Sequence, residues 1–337
     1  MLNYRKIVFI GSGRVELQKD KLDDSSIPAG HVLLRNHYSL ISTGTELACL
    51  AGLEDWFKMP SVPGYISVGE IVKMAPNVEG YQIGDIIYNF GGHSELSIMP
   101  ITGCFMKVPD GIEVKHVPFI RIVSMALTAI RASTIELGDY VAVTGQGMLG
   151  VMTAQLAHLQ GARAIGVDFH ESRLQIAQKC NVDFTINPDR ENVLESVKEI
   201  TRGKMLNTVV EAIGNTQVVV ESLPLLAKNG EMILLGTPRT NYDIDASNIL
   251  MKVFLGDYGI RLKGAHEWQY PYEHNAFKKH SIIRNTEIAI DYMRNGRIIY
   301  EPMLTHLCNP EDCSEAYHNL KTDKGTYFGV LFDWTKK

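Results

Sequence analysis

No apolar run in the 337 residues approaches the roughly 20 needed to cross a bilayer, so a helical membrane span is excluded. Cysteine is scarce and odd in number. Cys49, Cys104, Cys180, Cys308 and Cys313 are mostly far apart, which excludes a disulfide scaffold and predicts free thiols in a reducing cytoplasm. Cys308 and Cys313, the one close pair, read as a loop and a helix start. There is no surplus of basic charge: 33 Lys and Arg stand against 38 Asp and Glu, a net charge of -5, and the basic residues are dispersed. Nucleic acid and anionic membrane surfaces are therefore not expected partners. Internal repeats, charge runs and low-complexity segments are also absent. The short apolar run at residues 7–10, stopped by Gly11-Ser12-Gly13, reads as a strand rather than a signal peptide. An apolar share of 45% fits a soluble globular protein, and the length predicts two lobes.

What is present centres on one segment. A buried-type strand at residues 140–144 runs into Gly145-Gln146-Gly147-Met148-Leu149-Gly150 and then a helix at 151–160, the strand, turn and helix start of a dinucleotide site. Gly145 permits the tight turn, Gly147 removes a side chain that would hold the backbone away from a pyrophosphate, and Gly150 lets helix and strand approach. The phosphates would sit on unpaired helix N–H groups. A second strand, 164–167, ends at Asp168, 23 positions after Gly145, where a ribose-binding carboxylate belongs. Its charge would repel a 2'-phosphate, so NAD is favoured over NADP, although Arg163 and Arg173 lie nearby.

Before about residue 118 the chain reads as short strands and turns, with strands at 6–10, 32–41, 67–73 and 85–88. A helical pattern at 118–137 follows. Strands at 164–168, 183–186, 208–211, 231–235 and 260–263 then alternate with helices at 171–179, 193–201 and 217–227. That alternation predicts an α/β fold with a doubly wound parallel sheet. A last helix at 282–295 precedes a mixed tail ending in a strand at 327–332.

In order, Ser42-Thr43-Gly44-Thr45-Glu46, Pro63-Gly64-Tyr65, Val68-Gly69-Glu70-Ile71-Val72, Gly84-Asp85, Gly91-Gly92-His93-Ser94-Glu95, the glycine loop, Val210-Glu211-Ala212-Ile213-Gly214 and residues 230–236 resemble a medium-chain dehydrogenase/reductase over nearly the whole chain. The resemblance implies a GroES-like β-rich catalytic domain formed by residues 1–123 and 268–337. It also implies a Rossmann NAD-binding domain at 124–267, with the active site in the cleft. It further implies that Ala212, Ile213, Gly214, Gly236 and Thr237 border the cofactor beside Gly145 to Gly150, Asp168 and Arg173. In zinc-using members three ligands come from the first domain; the matching positions here are Thr43, Tyr65 and either Ile120 or Arg121. None is a normal zinc ligand. The cysteines of the structural zinc lobe would follow Tyr88, where this chain runs into Asn89-Phe90-Gly91-Gly92-His93. A zinc-independent member is the expectation.

Without a metal, a carbonyl oxygen that gains charge needs another electrophile or proton donor. The side chains that the resemblance places at the cleft are Thr43, Thr45, Glu46, Tyr65, His93 and Arg121. Tyr65 is the first candidate donor, or else fills vacated space. Thr45 matches a proton-relaying hydroxyl, or else caps backbone. His93 could exchange the proton that accompanies hydride transfer. Glu46 either organises the site or pairs with Arg121, and Arg121 either holds a substrate carboxylate bidentately or anchors the linking helix. His266 reads as a hinge residue. The leading expectation is an NAD-dependent oxidoreductase that interconverts a secondary alcohol and a ketone of the polyol, sugar or cyclitol class. The alternatives are a quinone or enoyl reductase and a cofactor-binding regulator without turnover. A Thr-Gly-Thr-Glu-like element is also similar to one in bacteriochlorophyllide hydroxyethyl dehydrogenases, too short to carry a substrate. The strand at 260–263, at a sheet edge, predicts a homodimer or homotetramer.

Overall fold

Alternation of apolar and polar residues in the first hundred positions is that of antiparallel strands with one covered face. In the computed structural model, which describes residues 1–255 and 259–336, these form β1 (Leu2–Gly11), β2 (Arg14–Leu22), β3 (His31–Leu40), β4 (Ser67–Met74), β5 (Ile86–Asn89), β6 (Leu96–Pro100) and β7 (Phe105–Lys107). Between β3 and β4 lies a helix that the pattern did not predict, α1 (Thr43–Ala51). Its signals are local: the Glu46 carboxylate accepts the N–H of Ser42 ahead of the first turn, and Gly52 ends the helix in the left-handed conformation (φ 77°). The helix α2 (Phe119–Ala132) then buries Phe119, Ile120, Val123, Ala126 and Leu127 and packs against α3 (Met148–Leu159).

From β8 (Tyr140–Thr144) the chain builds a parallel six-stranded sheet with β9 (Arg163–Val167), β10 (Phe184–Ile186), β11 (Leu206–Glu211), β12 (Leu226–Leu234) and β13 (Arg261–Gly264), in the order β10-β9-β8-β11-β12-β13. The order reverses on either side of β8, which sets the crevice for a ligand at the carboxyl ends of β8, β9 and β11. The helices α4 (Glu171–Lys179) and α5 (Val193–Ile200) lie where the periodicity puts them. The helix expected at 217–227 is shorter: α6 is Thr216–Ser222, Pro224 sits in a 3-10 turn, and β12 already starts at Leu226. A proline that lacks an N–H cannot extend a helix interior. After α7 (Ala246–Phe254) and β13, α8 (Ile282–Arg294) leads to β14 (Leu304–Cys308), α9 (Cys313–Thr322) and β15 (Gly329–Asp333). The last two strands return to the first sheet, whose order is β14-β15-β3-β4-β5-β7 with β6 on β3. This is the Rossmann sheet plus GroES-like lobe that the family resemblance implies, with both chain ends in the second.

Candidate active site

At the end of β8 three glycines shape the turn into α3. Gly145 has φ +85°, a Cβ on Gly150 would collide with the Gly145 carbonyl, and a Cβ on Gly147 would meet no heavy atom within 4 Å. That open approach, with the first-turn N–H groups of α3 behind it, is a cradle that fits a dinucleotide pyrophosphate. Met148 is buried and Leu149 half-buried in that turn. Gln146 does not offer its side chain: it is fully buried, donates to the Val143 carbonyl at 2.8 Å and packs against Gly166. Only its backbone belongs to the loop. Asp168 accepts the Gln146 N–H at 2.8 Å and, through its other oxygen, the His170 N–H at 2.8 Å. The carboxylate is thus fixed beside the loop at the strand end. Arg173 approaches it at 3.7 Å and donates to the Lys324 carbonyl at 3.0 Å, tying this edge to the C-terminal segment.

The loop after β11 is shaped from within. Glu211, buried, accepts the N–H groups of Ile213 and Gly214 at 2.9 Å; burial pushes its carboxyl up while those bonds oppose the shift. Ala212 is half-buried, Ile213 stands exposed above Gly145, and Gly214 and Gly236 are pressed together with the Thr237 backbone.

Glu46 and His93 are not where the motif positions suggested. His93 is 0% exposed and both ring nitrogens are engaged: Nε2 with Glu46 at 2.9 Å and Nδ1 with Ser39 Oγ at 2.7 Å. Trp334 Nε1 donates to the same Ser39 Oγ at 2.9 Å, and His93 Nε2–H donates to the Glu46 carboxylate. Tyr317 donates to the same Glu46 oxygen at 2.5 Å, and Phe332 lies edge-on to the imidazole at 5.1 Å. Glu46 therefore pairs with His93, Tyr317 and the Ser42 N–H, not with Arg121. A Cβ on Gly64 (φ +91°) would strike the His93 ring, so the segment that carries Tyr65 lies directly on this network.

On the open side of that network is a chain of hydroxyls. Tyr65 OH lies 2.5 Å from Ser42 Oγ and 3.5 Å from Thr45 Oγ1. Ser42, outside the candidate set that the sequence offers, has its hydroxyl available because it makes no capping bond to α1. Thr43 Oγ1 is buried without a partner. Burial pushes the Tyr65 phenol up against the smaller pulls of Ser42, Thr45 and Arg121. It stays protonated at neutral pH.

Of the two residues matched to the third ligand position, Ile120 is fully buried in the core and Arg121 turns to Tyr65. The Arg121 guanidinium lies 4.1 Å from the Phe90 ring centroid and 5.6 Å from that of Tyr65, and its two terminal nitrogens donate one to each oxygen of Glu267. It is not free to take a substrate carboxylate, because that fork is filled. Burial opposes the charge, but Glu267 outweighs it and holds the guanidinium above its usual range. Sequence reasoning missed Glu267, which follows β13 in a 3-10 turn capped by the exposed His266. A hydroxyl, a phenol and a permanently charged guanidinium do not make a zinc site, and among the described residues no group of three or more His, Cys, Asp or Glu is placed to hold a metal ion.

Residues 149–269 match a protein family described as zinc-binding dehydrogenase. A zinc-type alcohol dehydrogenase-like protein of Haemophilus influenzae is 33% identical over 155 residues, 46% of this chain and 45% of that protein, so this match spans under half of either. The quinone oxidoreductase-like protein 2 homolog of Nematostella vectensis is 25% identical over 338 residues, covering 96% of this chain and 87% of that one. D-guloside 3-dehydrogenase of Shigella flexneri is 29% identical over 170 residues, 50% and 49% of the two chains. Among solved structures, one described as a zinc-binding dehydrogenase of Sinorhizobium meliloti bound to NADP superposes with a TM-score of 0.80 at 17% identity, covering 99% of this chain and 100% of that one.

Proposed function

We propose that the chain, similar to medium-chain, zinc-type alcohol dehydrogenase-like proteins, is a zinc-independent, NAD(H)-dependent oxidoreductase interconverting a secondary alcohol and a ketone. A polyol, sugar or cyclitol derivative is the substrate class. The observation that carries the reading is the hydroxyl chain Ser42–Tyr65–Thr45 beside Arg121, with Tyr65 and Thr45 at positions that the resemblance matches to a ligand and a relay of metal-using members.

The glycine loop and the first turn of α3 hold the pyrophosphate, and Asp168 takes the adenosine ribose hydroxyls, which supports NAD over the NADP named for the solved relative. The bound nicotinamide supplies or accepts hydride. In reduction Tyr65, neutral and fixed by Ser42, donates its proton to the substrate oxygen as charge builds there and is reprotonated through Thr45; in oxidation the alcohol proton leaves by the same path in reverse. Glu46 and His93 act as positioning residues that hold Ser42 and the Tyr65 segment in place. Zinc independence is supported by the donor chemistry of Thr43, Tyr65 and Arg121. The D-guloside 3-dehydrogenase relative supports the sugar class. The free thiols favour the cytoplasm, and the open edge of β13 favours a homodimer or homotetramer.

A quinone or enoyl reductase is the second reading, favoured by the aromatic shell of Tyr65, Phe90 and Tyr272 and by the Nematostella relative. Anaerobic assays separate the two: NAD reduction with polyols and cyclitols against NADH oxidation with quinones and enones. In the same assays Tyr65→Phe loses about 10²–10³-fold in kcat with NADH affinity within about twofold. Turnover of quinones alone, indifferent to Tyr65→Phe, would reject the first reading.

A further inference from the structure

We propose that Glu267 is a built-in carboxylate that fills the fork of Arg121 and makes the reaction cleft select uncharged substrates over carboxylate-bearing ones. The proposal rests on the reading of this cleft as the site of alcohol oxidation.

A planar guanidinium presents paired donors matched to a carboxylate, which makes Arg the natural anchor for an acid substrate. Here both terminal nitrogens are already taken, one by each oxygen of Glu267, and the two side chains are only 3% and 9% exposed. The partners come from distant parts of the chain, α2 and the turn after β13, 146 residues apart. They meet beside the reactive hydroxyls rather than at a remote surface, because the guanidinium lies over the Tyr65 ring. Aromatic faces close the surroundings: Phe90 lies against Arg121, Tyr272 against Phe90 at 5.9 Å, and the exposed Trp268 stacks on Tyr272 at 6.3 Å and 29°.

An anionic substrate is penalised twice in such a site. To reach Arg121 it must displace Glu267, which leaves that carboxylate buried and unpaired. The substrate's own charge then sits next to a like charge in a poorly solvated place. Uncharged polyhydroxy compounds meet neither cost. Their hydroxyls can donate to the remaining lone pairs of Glu267, and their C–H faces can lie on Trp268 and Tyr272.

The test uses the full chain with NADH bound, with malonate and glycerol as probes followed by NADH fluorescence. In Glu267→Gln, which keeps the shape but removes the charge and one of the two acceptors facing the guanidinium, malonate binds at least tenfold tighter than in the wild type while glycerol changes less than threefold. In the double variant Arg121→Met, Glu267→Gln that gain disappears. Equal malonate affinity in wild type and Glu267→Gln would overturn the proposal, as would a gain that survives in the double variant. The wild type alone also decides it: malonate bound as tightly as glycerol would overturn it even if the variants failed to fold. In turnover, the ratio of kcat/KM for lactate to that for propane-1,2-diol rises at least tenfold in Glu267→Gln; an unchanged ratio counts against the proposal. A wild type that oxidises neither alcohol but reduces quinones rejects the proposed activity, and the malonate titration still decides the role of Glu267.

Discussion

Glu46→Ala should destabilise the first lobe severely while leaving the dinucleotide site intact. The carboxylate is 2% exposed and accepts three donors: the Ser42 N–H at 2.7 Å, His93 Nε2–H at 2.9 Å and Tyr317 OH at 2.5 Å. Leaving a buried donor unsatisfied costs about 1–3 kcal/mol, so three set a range of about 3–9 kcal/mol before relaxation. Removing one member of a buried ionic or charge-assisted pair typically costs about 3–5 kcal/mol, and the lower half of the range is the safer expectation. At about 2–4 °C per kcal/mol, that is a fall of roughly 10 °C in Tm. Differential scanning calorimetry reads the loss, and NADH titration checks that affinity stays within about twofold, since the glycine loop belongs to the other sheet. His93→Ala should be destabilising too. The double variant should cost less than the sum of the singles by at least about 1.5 kcal/mol, because the two residues share one network. A Tm for His93→Ala within about 2 °C of wild type, with turnover abolished, would refute the reasoning and return His93 to the role of proton carrier.

The carboxylate at the end of β9 gives a second prediction: Asp168→Asn raises kcat/KM for NADP relative to NAD by at least about tenfold, since one net charge facing a 2'-phosphate is removed. An unchanged ratio would show that Asp168 does not read the ribose. Burial pushes the thiols of Cys49 and Cys313 up to about 11 and that of Cys180 up to about 12, so at pH 8 fewer than about one in a thousand of these are thiolates. Dithionitrobenzoate should label the native protein slowly and all five cysteines rapidly after denaturation; fast native labelling of these three would contradict the burial described. Purified active protein should carry well under one zinc per chain by mass spectrometry, and phenanthroline should leave turnover unchanged. Loss of activity that zinc restores would overturn the donor-set argument.

Much of this molecule can be read in its sequence, and the parts that cannot share a cause. The parallel sheet is legible because its signals are local: β8 and α4 match their expected bounds, and Gly145 and Gly150 of the loop have steric reasons visible in the motif. The helix α1 is not legible because Thr-Gly-Thr has weak helix propensity, and the acid that stabilises its start lies inside the first turn. At the site, Tyr65 and Thr45 fall together, with Ser42 on the other side of the phenol. The surroundings of His93, Glu46 and Arg121 are set by partners far away in sequence, Trp334, Tyr317 and Glu267, which is why the sequence leaves their alternatives open. A motif shows which residue types stand at a position. It does not show which remote side chain will occupy their hydrogen bonds.

The junction of Ser39, His93 and Trp334 also sets an order of assembly during synthesis. All strands of the parallel sheet lie between residues 140 and 264, so that unit can be complete while the ribosome is still translating the tail. The antiparallel unit cannot. Its imidazole stays unlocked, and the phenol–serine contact beside it unsupported, until β15 and the indole after it emerge and dock. A nascent chain stalled before residue 334 would therefore present a finished nucleotide cradle facing an unfinished catalytic wall.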